Sequence, residues 1–97
     1  MDDMQKLTIQ RAINYFGADM QTQKALEEMG ELIVELARRN TGRYDRAHVA
    51  EEVADVMIMM EQMRLMIGPD LVDIYIDQKI ERLDKKLSED WRRGWKP

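Results

Sequence analysis

Apolar residues recur at helical spacing along almost the whole chain. Between about Met4 and Phe16, Ile9, Ala12, Ile13 and Phe16 fall on one helical face, and Gly17 is placed to end that helix. A second helix is expected from Asp19, its candidate N-cap, to about Arg39. Leu26, Met29, Ile33 and Leu36 form its apolar arc, with Ala25, Leu32 and Ala37 beside them. Arg38 and Arg39 put cations where a helix C-terminus favours them. The polar turn from Asn40 to Tyr44 is short, so the next helix, capped by Asp45, should run antiparallel to the second. Val49, Val53, Val56, Met57, Met60, Met63 and Ile67 give this third helix a broad apolar face. Gly68-Pro69 breaks the pattern, with proline at a favoured first helical position, and Val72, Ile76, Ile80, Leu83 and Leu87 line a fourth helix. No period-two strand pattern, repeat or low-complexity segment competes with this reading. The pattern predicts an all-α, four-helix-bundle-like fold of antiparallel helices: one domain over residues 1–90, then a tail, 91–97, that docks on the body or on a partner subunit.

Composition adds limits. A chain of 97 residues buries a small core and commonly gains stability by association. Scarce glycine and proline and abundant Glu, Lys, Leu, Met, Arg and Ala favour helix. A net charge of −4 argues against nonspecific nucleic-acid binding. With no cysteine there is neither a disulfide framework nor a thiolate metal site, which suits a reducing cytoplasm. The N-terminus Met1-Asp2-Asp3 carries no apolar signal segment, and the most apolar run, Val53 to Met60, is too short to cross a membrane.

The chemistry concentrates in the second and third helices. Glu28 and Glu31 are three residues apart, as are Glu52 and Asp55, so each pair shares a helix face. Antiparallel packing would bring four carboxylates together, and such a group needs a cation between its members; Mg²⁺ is the first candidate. The alternative is that both pairs lie on solvated faces. A helical wheel at roughly 100° per residue separates the two pairs. Lys24, Glu28, Glu31 and Glu35 form a narrow stripe away from the centre of the second helix's apolar arc, which favours solvation, and Glu27 lies off it. On the third helix the stripe reads His48, Glu52, Asp55, Met59, Gln62 and Met66. Methionines continuing the stripe, and Ala54, Ile58 and Leu65 on another side, predict a helix wrapped almost all round, with Glu52 and Asp55 at least partly buried. Buried charges need a partner or a metal. A wrapped third helix also calls for a second subunit.

On the fourth helix Tyr75, Lys79, Arg82 and Lys86 line one flank. Beside a carboxylate–metal cluster, such cations suit a polyphosphate; alone, they read as a snorkelling solvated flank. His48, the only histidine, is within reach of the third-helix acidic stripe but also reads as a surface or capping residue. A single histidine excludes a di-iron bundle built on two Glu-x-x-His pairs. Asp70 and Asp73 repeat the acid-x-x-acid spacing just after Gly68-Pro69, where they match the helix dipole.

Glu28-x-x-Glu31 followed by Glu52-x-x-Asp55 on antiparallel helices resembles the MazG-type all-α nucleoside triphosphate pyrophosphohydrolases, a superfamily that includes dimeric dUTPases and dCTP pyrophosphatases. The flanks Glu27-Glu28-Met29-Gly30-Glu31-Leu32 and Glu51-Glu52-Val53-Ala54-Asp55-Val56-Met57 resemble the family's usual wording of these helices. The match covers about the middle third of the chain; the fourth helix is more loosely similar. The resemblance implies conversion of an NTP or dNTP to the monophosphate and pyrophosphate, with Glu28, Glu31, Glu52 and Asp55 as the catalytic Mg²⁺ ligands and Mn²⁺ as a substitute. It implies phosphate contacts from Lys24, Lys79 and Arg82, a base pocket drawing on Gln21, Phe16, Met59 or Tyr75, and a homodimer or homotetramer. The competing expectation, from another class, is a noncatalytic oligomeric helical interaction or regulatory protein using the third helix and the Trp91/Trp95 tail.

Overall fold

In the computed structural model, which describes residues 1–94, the chain forms four helices and no strand among those residues: α1 (Asp3–Phe16), α2 (Ala18–Ala37), α3 (Arg46–Ile67) and α4 (Pro69–Arg92). The all-α class follows the periodicity. The chain divides into two compact units, residues 1–66 and residues from Ile67 onward.

In the first unit, α1 starts with a capping box. The Gln5 amide donates to Asp2 Oδ1 at 2.8 Å, and the Asp2 amide donates to Gln5 Oε1 at 2.9 Å. Gly17 then joins α1 to α2 alone. Its φ of 88° is disfavoured for side-chain-bearing residues, and it serves both as C-cap of α1 and as N-cap of α2. This displaces the expected cap Asp19 into the first turn of α2, where its charge meets the helix dipole. The C-terminal end of α2 is Ala37 rather than Arg39, because Arg38 to Thr41 already follow turn hydrogen bonding. Asp45 caps α3 as expected, accepting from the amides of Ala47 and His48 at 3.0 and 3.3 Å.

The helices α2 and α3 are antiparallel. Gln21, at the start of α2, bonds Gln62 near the end of α3; Glu35, near the end of α2, meets His48 at the start of α3. The contact edge of α2 reads Gln21, Ala25, Glu28, Leu32, Glu35, alternating steps of four and three as in a coiled-coil seam. That of α3 includes Val49, Glu52, Val56, Met59 and Gln62. On α1, Ile9 is buried and Ala12 and Ile13 are half-buried, while Phe16 is exposed. The buried apolar residues among those described are Ile9, Ala25, Val49 and Met59.

This reverses the expected orientation of α2. Leu26 and Ile33, the expected inward arc, are 62% and 67% exposed, whereas Glu28 is 8% exposed. A helix turns one face to its neighbour. Rotating α2 to bury the arc would carry Gln21 and Glu35 away from Gln62 and His48. Within one chain the inner edge of α3 is covered, while Met57, Ile58 and Met60 are exposed, the side for which the sequence reading called on a second subunit.

The second unit holds α4, with Pro69 at its first position and Gly68 as N-cap. It has no buried residue. Trp91 and Arg92 close the helix, so the expected tail begins inside it; Trp95 and the two residues after it lie outside the described residues. No helix among the described residues is long and apolar enough to cross a membrane.

Candidate metal centre in the α2/α3 seam

The register of the hairpin builds the site. Gln21 is level with Gln62 and Glu35 with His48; midway between them, Glu28 is level with Asp55, and Glu31 with Glu52. One carboxylate oxygen each from Glu28, Glu31 and Glu52 lies within 4.8 Å of the others. Three of the four expected carboxylates therefore converge. Asp55 is exposed and stands outside this group, against the expectation that it is partly buried. Glu52 follows Val49 on the edge facing α2; a second step of three carries Asp55 about 120° from Val49 and off that edge, where it is exposed.

Within the group the two buried members are arranged alike. Glu28 directs Oε1 to Lys24 Nζ at 3.0 Å, and its Oε2 is buried with no hydrogen-bond partner. Glu52 directs Oε1 towards His48 Nε2 at 3.6 Å, and its Oε2 is likewise buried without a partner. Each thus has one oxygen beside a basic side chain and one left bare. A buried carboxylate oxygen without a protein donor is unfavourable, which is the condition a bound cation relieves. Glu31 completes the group from the solvent side. The Glu28 charge beside it raises its carboxyl above the ordinary glutamate value, with lost hydration and then the Glu52 charge adding to the effect. Lys24 is held above its usual value, chiefly by its hydrogen bond to Glu28 and then by the charge of Glu27, 3.8 Å away.

Two pairs bridge the helices on either side of the carboxylate group. At one end Gln21 Nε2 donates to Gln62 Oε1 at 2.7 Å, with Gln62 Nε2 near Met59 Sδ. At the other, buried Glu35 lies 3.3 Å from His48 Nε2 and 3.0 Å from Arg38 Nη1. His48 therefore stands between Glu35 and Glu52. Sequence reasoning assigned neither His48 nor Glu35 to the site. The available signal was the alternating step of four and three that places Glu35 on the same edge as Glu28 and Gln21. Among the substrate-binding candidates, Lys24 is beside the cluster; Tyr75, Lys79 and Arg82 are exposed on α4 in the second unit.

Carboxylate oxygens are hard donors, and a set of three with two bare buried oxygens fits Mg²⁺ or Mn²⁺ better than a soft, thiolate-seeking ion. No protein-family model matches the chain, and neither the curated proteins nor the solved structures give a match.

Proposed function

We propose that the chain is a Mg²⁺-dependent nucleoside triphosphate pyrophosphohydrolase, converting an NTP or dNTP to the monophosphate and pyrophosphate. The observation that carries this reading is the convergence of Glu28, Glu31 and Glu52 within 4.8 Å, with one buried carboxylate oxygen on Glu28 and one on Glu52 left without a hydrogen-bond donor. The acid pattern that resembles the MazG-type enzymes is thereby joined to a site with a physical need for a cation.

In this reading Glu28, Glu31 and Glu52 hold the metal, and Asp55 joins from the flank. Bound there, Mg²⁺ would polarise the phosphate and lower the pKa of an attacking water. The protein's own part is positioning. Lys24 keeps Glu28 in place and, with about half its side chain exposed, offers its charge to an incoming phosphate. His48 and Glu35 hold Glu52 from the other side. On α4, Tyr75, Lys79 and Arg82 remain the further candidates for substrate contact. The enzyme works as a cytoplasmic homodimer or homotetramer, in which the exposed apolar arc of α2 is covered.

The test is a panel of canonical and modified NTPs and dNTPs with Mg²⁺, assayed for pyrophosphate. Release from at least one substrate, together with a Mg²⁺-dependent rise in Tm, is the expected result. No turnover on any member and no metal-dependent shift would overturn the reading. That outcome would favour the second reading, a noncatalytic oligomeric interaction protein, to which the exposed Leu26, Ile33 and Leu36 speak directly.

A further inference from the structure

The apolar side of α4 has an internal order. Ile76, Ile80, Leu83 and Leu87 recur at steps of four, three and four, and are 45%, 61%, 54% and 46% exposed. In a heptad frame Ile80 and Leu87 are a positions, and Ile76 and Leu83 are d positions. The central layers, Ile at a and Leu at d, are the combination that favours two parallel strands. The flanks of the same seam carry opposite charges. Lys79 and Lys86 occupy g, and Asp77 and Asp84 occupy e.

Ion pairs within α4 include Lys85 with Glu81 at 3.3 Å and Lys86 with Asp90 at 3.1 Å. Lys79 has no acidic residue three or four positions away on its own helix, and Asp77 and Asp84 have no basic one. These exposed charges can therefore pair across to a neighbouring helix.

We propose that α4 pairs with α4 of a second copy of this chain, parallel and in register, along the Ile76/Ile80/Leu83/Leu87 seam. Charge selects the orientation. In a parallel pair a g residue meets the e residue of the partner's next heptad, which sets Lys79 beside Asp84 of the partner subunit, twice by symmetry. An antiparallel pair over the same seam sets g against g and e against e. Lys79 then meets Lys86 of the partner subunit, and Asp77 meets Asp84 of the partner subunit, so every flanking contact is between like charges. Parallel pairing also gives Lys79 a partner other than phosphate. The seam is only about 17 Å long at a helical rise of roughly 1.5 Å per residue, so it fixes orientation while other apolar faces add affinity. The pairing rests on self-association of the chain and not on catalysis.

The chain has no cysteine, which makes a disulfide test clean. Under mild oxidation the full-length Leu87→Cys variant is expected to form a covalent dimer, because a parallel seam sets each Leu87 against its counterpart. Ser88→Cys, one position outside the seam, should crosslink far less. Separately, Lys79→Glu is expected to weaken self-association about tenfold by sedimentation, and Lys79→Glu/Asp84→Lys to recover most of that loss. The proposal is overturned if Leu87→Cys crosslinks no better than Ser88→Cys, or if Leu87→Cys links preferentially to Ile76→Cys in a mixture. Tighter association of Lys79→Glu would be equally decisive against it, since that is the antiparallel result. None of these measurements uses pyrophosphate release, so they succeed or fail apart from the catalytic reading.

Discussion

The α2/α3 seam and α4 assign polarity in opposite senses. In the seam, the residues that face a neighbour include two glutamines and three glutamates, all buried. Along α4, an unbroken apolar stripe faces outward, and no residue is buried. Over the described residues, buried polar side chains outnumber buried apolar ones, five to four. The hydrophobic effect alone would not arrange one short chain in this way. The seam is organised by partners for its charges and amides, and two carboxylate oxygens in it still lack one. On α4 the apolar surface itself lacks a partner. One region leaves buried carboxylate oxygens without a donor, and the other leaves apolar side chains exposed.

Removing charge from the seam should have the largest effect. Glu52→Gln keeps shape and loses a ligand. Changes to residues that merely orient metal ligands cost about 10–100-fold, so loss of a ligand charge is expected to lower kcat/KM by at least about a hundredfold. Without metal the same variant should unfold at a Tm no lower than the parent, because it relieves repulsion among Glu28, Glu31 and Glu52. Full activity, or a large loss of metal-free stability, would mean that the seam is not a metal site.

A charge placed on the outward apolar surface is expected to act on association instead. Ile33→Glu should leave the isolated subunit folded and weaken self-association by about ten- to a hundredfold, the equivalent of one large apolar side chain burying its surface. Sedimentation equilibrium over a range of concentrations reads this. An unchanged oligomer would place Ile33 in solvent and make the contrast between the two regions less sharp.

The amide pair at the end of the seam comes next. Gln62→Leu leaves Gln21 Nε2 buried without its acceptor and should cost about 1–3 kcal/mol in urea unfolding. Gln21→Leu/Gln62→Leu should recover most of this, since both polar groups are then gone.

The smallest effect is pH-dependent. The folded Glu31 carboxyl holds its proton to a higher pH than the unfolded chain does. As pH rises from the usual glutamate range through this raised value, the unfolded chain has already released the proton, so stability of the metal-free protein falls. The group is open to solvent, so the decline is shallow. It is measurable as the difference in Tm between the parent and Glu31→Gln across about pH 4–7. Saturating Mg²⁺ should remove the decline, because it binds the ionised form.

Helix number, helix type and the antiparallel α2/α3 hairpin were all legible in the sequence, because periodicity, Asp45, the short turn and Gly68-Pro69 act locally. The facing of α2 was not. Its apolar arc gave the stronger signal by hydropathy, while the edge that packs is Gln21, Ala25, Glu28, Leu32 and Glu35. Recognising it requires the α3 partners Gln62, Glu52 and His48, which a wheel drawn on one helix does not contain. The methionines that continue the Glu52 stripe, Met59 and Met66, did point to burial, and Glu52 is buried. Extending that argument to Asp55 failed because two successive steps of three, Val49 to Glu52 to Asp55, drift about 120° round the helix and off the covered edge, which continues instead at Val56. The single-residue joint at Gly17 was readable as a helix stop. That it also starts α2, displacing Asp19 from the cap, depends on a backbone angle that residue types alone do not specify.

The paired side chains at the two ends of the seam have a consequence for how this hairpin tolerates change in length. Gln21 with Gln62, and Glu35 with His48, hold the two helices in alignment on either side of the carboxylates. Alignment is therefore set within the helices, and the turn from Arg38 to Asp45 has only to span the gap. Residues inserted in that turn should be absorbed as a longer loop with the carboxylates still converging. A single residue inserted inside α2 between Gln21 and Glu28 would rotate everything beyond it by about 100° and set the two ends of the seam in conflict.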